Sequence, residues 1–135
     1  MFRISLRLVS DSGDPDEVSL ATDVVPEKTE KAGEMSPRTG NPYKFSQWTA
    51  RIGPQRIAGS PDDAFHELAS WGLPTAEAIR KLVAEGCWEA TLMIVQEFRD
   101  PENVFEKGIS MDPKIIEWLA ASGAGADIDQ YILYE

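Results

Sequence analysis

The chain opens on a strict alternation, with Phe2, Ile4, Leu6 and Leu8 on one side and Arg3, Ser5 and Arg7 on the other. Side chains of an extended chain point to opposite faces in turn, so this pattern predicts a half-buried first strand. Asp14-Pro15-Asp16-Glu17 follows. An acidic side chain before proline, with Glu17 at capping-box spacing, marks a helix start. The helix is short, with Val18 and Ala21 inward, because Val24-Val25-Pro26 favours extended backbone. Beyond a weak strand after Glu27, Gly33, Ser36, Pro37, Gly40 and Pro42 predict a flexible loop over residues 31–44. Trp48, Ala50 and Ile52 then alternate in a strand over 45–52, closed by Gly53-Pro54.

The pattern next changes to helical spacing. Ser60-Pro61-Asp62-Asp63 repeats the helix-start chemistry, Phe65, Leu68 and Ala69 form a stripe, and Gly72 ends it. A third helix from Thr75 turns Ile79, Leu82 and Val83 inward and stops at Gly86. Residues 87–98 are almost continuously apolar, with Trp88, Ala90, Leu92 and Ile94 on one face and Thr91, Met93 and Val95 on the other. A strand apolar on both sides belongs inside a sheet. Phe105 and Ile109 begin another strand; Asp112-Pro113 starts a fourth helix with Ile115, Ile116 and Leu119 inward and Trp118 out of phase, hence partly exposed. Ile128 to Leu133 form the last strand. The order β-α-β-β-α-α-β-β-α-β predicts one domain over residues 1–135: an α+β two-layer sandwich with a mainly antiparallel sheet, helices on one face, and a ferredoxin-like βαββαβ unit extended by β-α-β.

Several pieces in this order resemble a bacterial family of uncharacterised proteins, the domain of unknown function numbered 4279. They are the Ile4-Ser5-Leu6-Arg7-Leu8 strand, Asp14-Pro15-Asp16-Glu17, Pro26, Gly33, Ser46-Gln47-Trp48 and the closing Ala126-Asp127-Ile128-Asp129-Gln130-Tyr131. Ser19-Leu20-Ala21-Thr22 departs from the leucine-rich turn usual there. The resemblance implies a small cytoplasmic bacterial domain and brings no catalytic residue with it.

Charge narrows the range of partners. The net charge of −10 and pI near 4.5 disfavour nucleic acid and anionic membranes and favour a basic protein. The alternating N-terminal residues lack the apolar block of a secretory signal, and no apolar run reaches the roughly 20 residues that span a bilayer. One cysteine, Cys87, rules out an internal disulfide and suits the cytoplasm. The distribution of charge is uneven: the 38–56 segment carries Arg38, Lys44, Arg51 and Arg56 without an acid, whereas residues 58–135 hold fifteen acids and five basic residues.

Catalytic chemistry has little to build on. His66 is the single histidine, expected to pair with Asp62 or Asp63 on its own helix, and Cys87 reads as a small buried residue. The Asp11, Asp14, Asp16 and Glu17 cluster lacks EF-hand spacing and is explained by helix capping. Asp127 and Asp129 share one face of the last strand, and Trp48, Trp71 and Trp88 read as core. No catalytic group, metal or cofactor is therefore assigned.

The leading reading is a non-enzymatic acidic protein-binding module, such as a bacterial immunity protein that neutralises a basic toxin, with Glu97, Asp100, Glu102 and Glu106 facing the partner. The alternative is a sensor or enzyme for a small anionic ligand, with Arg38, Tyr43, Lys44, Trp48 and Arg51 forming the site. A homodimer through sheet-edge pairing is a third arrangement.

Overall fold

A computed structural model describes residues 1–100, 102 and 108–133. The elements are β1 (Phe2–Ser10), α1 (Pro15–Thr22), β2 (Lys28–Glu30), β3 (Ser46–Ile57), α2 (Asp62–Ser70), α3 (Leu73–Ala84), β4 (Glu89–Phe98), α4 (Pro113–Ser122) and β5 (Gly125–Ile132). The strands form one sheet in the order β2-β3-β1-β4-β5, antiparallel at every junction except β4 with β5. Helices pack in a second layer, with α3 between α1 and α4, and α2 against α4 and β3. This is an α+β two-layer sandwich. The expected strand at Phe105 to Ile109 lies mostly outside the described residues.

The alternation read from the sequence is what fixes the two layers. β1 buries Phe2, Ile4, Leu6 and Leu8 and leaves Arg3, Ser5 and Arg7 on the open face. Cross-strand register sets Ile4 beside Ile52 and Ile94, Leu6 beside Ala50 and Leu92, and Leu8 beside Trp48 and Ala90. Large and small side chains therefore share rows under the helices, and Trp48, the largest, anchors its indole Nε1 by donating to Ser19 Oγ at 3.0 Å.

Several expectations change in three dimensions. β3 does not stop at Gly53-Pro54. It continues to Ile57, and between Ile52 and Ile57 its register against Ile4 and Phe2 slips. Gly53 takes φ +78 there, and Pro54 has no amide to give the ladder, so the irregularity absorbs both. Leu73-Pro74 begins α3 instead of breaking the run, because proline fits a first helical turn; Gly72, at φ +86, makes the corner. In α1, Thr22 is buried in place of Ala21, its hydroxyl donating to the Val18 carbonyl at 2.8 Å. The 31–44 segment, read as a loop, lies between β2 and β3, where Gly33 N donates to Tyr43 O, Tyr43 N to Glu34 O and Ser36 N to Asn41 O.

The largest correction concerns α4. Trp118 is 2% exposed and Ile116 is 54% exposed, the reverse of the expectation. The inward stripe is Ile115, Trp118, Leu119 and Ser122, a 3.6-residue repeat that the two adjacent isoleucines had obscured. Trp118 meets Trp71 edge to face with centroids 6.0 Å apart, and its Nε1 donates to Gly72 O at 3.0 Å. That bond ties α4 to the α2–α3 corner. Cys87, expected to be buried, is exposed in the turn before β4.

Trp118→Ala is expected to lower the unfolding free energy by about 3–5 kcal/mol, whereas Ile116→Ala changes it by less than about 0.5 kcal/mol. Urea unfolding curves of the two variants check this. The native protein is expected to react stoichiometrically at Cys87 with a thiol reagent, before any denaturant is added.

Candidate partner-binding edge

β5 is exposed along its whole length, from Gly125 to Ile132. Its parallel register places Ile128 beside Ile94, continuing the row Ile52, Ile4, Ile94, and places Asp127 and Asp129 beside Met93 and Val95 on the open face. The helices pack chiefly on β3 and β4, so their cover runs out at β5: Ile94 is fully buried, while Ile128 is 48% exposed. Tyr131, Ile132 and Leu133 are exposed as well. Among the described residues no strand pairs with the outer edge of β5, which therefore presents free backbone groups between apolar and acidic side chains. Its inner edge is secured by the ladder to β4, by Leu133 N donating to Phe98 O at 2.7 Å, and by Gln130 Nε2 donating to the Oε1 of buried Gln96 at 3.0 Å.

The four acids assigned to a partner differ in their surroundings. Glu97 lies on β4, where its carboxylate receives Arg56 at 2.8 Å and Arg3 at 3.5 Å and is largely shielded. It is already neutralised within the chain. Asp100 and Glu102 are exposed in the turn after β4, with Glu102 N donating to Asp100 Oδ1 at 3.0 Å. Glu106 lies outside the described residues.

The anion-site set does not converge. Trp48 is buried under the helices, whereas Arg51 projects from the opposite face of β3, 3.8 Å from Glu27. Arg38 and Lys44 are exposed in the 31–44 segment, and Tyr43, whose backbone bonds to Gly33 and Glu34, is half-buried. Adjacency along the basic stretch had concealed the alternation of faces.

His66 pairs with neither Asp62 nor Asp63. Its Nε2 lies 3.2 Å from Oδ2 of Asp112, 46 residues away on the start of α4. Asp112 caps that helix by accepting from Ile115 N at 3.1 Å, and the pair borders a cavity of about 680 Å³ floored by Ala69, Leu73 and Trp118. The Ile115 amide first, and His66 after it, hold the Asp112 carboxyl below its ordinary value of 3.8. At the start of α1, the Asp16 amide and then Lys31 hold Asp14 down likewise. Both acids serve helix ends. Among the described residues no three His, Cys, Asp or Glu side chains are grouped to hold a metal ion, and no helix is long and apolar enough to cross a membrane.

Across the described residues these features define an α+β sandwich domain with a covered sheet centre and an exposed, acidic-apolar strand at the β5 edge. The chain belongs to the family described as domain of unknown function DUF4279, whose model matches residues 1–133. No curated protein and no solved structure matches it.

A depressed carboxylate contributes stability above its unfolded value and loses that contribution as pH falls through the lower, folded value. The stability gap between wild type and Asp112→Ala is therefore expected to be full above pH 3.8 and to close below it. Urea midpoints measured across the acid range check the sign.

Proposed function

We propose that this domain is a non-enzymatic, acidic protein-binding module that docks a basic protein, as a bacterial immunity protein docks a toxin. The observation that carries the reading is β5: eight consecutive exposed residues, with Ile128, Tyr131 and Ile132 bare beside Asp127 and Asp129. An exposed edge with apolar side chains is a liability in a chain that acts alone and an asset in one that acts by contact. Asp100 and Glu102, in the turn leading from the end of β4 that pairs with β5, add to the acidic rim. The net charge of −10 steers a cationic partner toward this surface, and the apolar contacts then hold it. Glu97 has a different part. Bound to Arg3 and Arg56, it fastens the ends of β1, β3 and β4 next to the edge.

Affinity capture with the tagged chain in its native host tests the reading. The expected result is one basic protein whose activity the pure domain suppresses, with affinity falling steeply as salt is raised. Binding indifferent to salt, or turnover of a metabolite by the pure domain that is lost on replacing His66, would overturn it.

A further inference from the structure

We infer that β5 takes up an extended segment of its partner as a sixth strand, and that this segment alternates basic and apolar side chains. The inference rests on the binding-module reading and adds the manner of binding. Among the described residues no strand bonds to the outer side of β5, which leaves its backbone donors and acceptors there without a ladder partner, and no proline, lysine or bulge within Gly125–Ile132 blunts it. The two faces of β5 carry different chemistry. Asp127 and Asp129 stand on the open face, two residues apart, while Ile128 and Ile132 stand on the helix side beside Ile94 and Phe98. Successive side chains of an added strand fall alternately on those faces. One set meets the two carboxylates, and the other extends the isoleucine row and covers the apolar surface that the helices leave bare.

The same charges argue against a second copy as the occupant. Two-fold pairings that engage nearly all of β5 with both helix layers on one side are centred on Ile128, which sets Asp127 against Asp129 of the second copy twice over, or on Asp129, which sets that carboxylate against its own counterpart. Turning one copy so that its helices lie on the other side, with the whole of β5 paired, sets Ile128 against Asp129. Either arrangement opposes like charges or buries an acid beside an isoleucine, between molecules that each carry −10. A cationic, alternating strand meets neither difficulty.

The probe is a synthetic nine-residue peptide of alternating lysine and valine, titrated calorimetrically into the full chain while amide hydrogen exchange is followed. Binding is expected to weaken with salt, to slow exchange at β5, and to weaken at least about tenfold in the Asp127→Asn, Asp129→Asn double variant. The double variant Asp127→Lys, Asp129→Lys is expected to bind a glutamate-valine peptide instead, a gain that a misfolded variant could not show. Unchanged affinity in the asparagine variant, protection confined to elements other than β5, or sedimentation of the free chain as a dimer with β5 already protected would overturn the inference. A captured basic partner that still binds the asparagine variant at full strength would remove strand addition alone. Failure to capture any basic partner would remove the reading beneath it.

Discussion

The register of β1 between β3 and β4 is the constraint on which the molecule depends. Its inward-facing side chains lie in rows with buried neighbours on both sides, so Ile4 lies between Ile52 and Ile94, and Leu6 between Ala50 and Leu92. A slip of one residue would turn Ile4, Leu6 and Leu8 toward the open face and Arg3 and Arg7 into the core. Burying unpaired guanidinium groups is far costlier than the loss of a few contacts, which makes the register effectively unique. Helix packing, the position of Trp48 and the polarity of the open face all follow from it.

That same register explains why the exposed surface is where it is. The row that begins at Ile52 and runs through Ile4 and Ile94 ends at Ile128, beyond the helices that cover β3 and β4. α4 leads into β5 through Gly123 and Ala124, and its last turn is held by Ser122 Oγ, which donates to Leu119 O and accepts from Ala124 N. The helix that delivers the chain to β5 thus faces α2 and α3, and among the described strands β5 has β4 as its one neighbour. Exposure at this edge is a product of topology. The acids at 127 and 129 add negative charge to its open face.

His66 and Asp112 show how structure redistributes roles that sequence assigns locally. Asp62 and Asp63 are near His66 along α2, but both lie in the first turn and serve the helix start, with Asp62 N donating to Ser60 Oγ. The crossing of α2 and α4 brings Asp112 to His66 instead. Asp112 is held in place by the Ile115 amide, so its carboxylate is already oriented when the imidazole meets it. The contact fastens two helices by their polar ends while Trp71 and Trp118 pack between them.

Local chemistry was legible in the sequence because its causes are local. Period-two alternation set the faces of β1 and β4, and acidic or hydroxyl residues before a proline set the starts of α1, α2 and α4. Family membership, carried by the order of such pieces, was legible as well. What the chain could not declare was anything that depends on two segments meeting. Trp118 is buried because Trp71 and Gly72 lie where α4 crosses, Arg51 and Trp48 part company because a strand sends neighbours to opposite faces, and Cys87 is exposed because its turn projects beyond the core. Asp127, Ile128 and Asp129 were visible as a strand from the start. That the strand ends the described sheet with its side chains exposed was decided by the order of the strands and the limited reach of the described helices, both of which arise from packing between residues far apart in the chain.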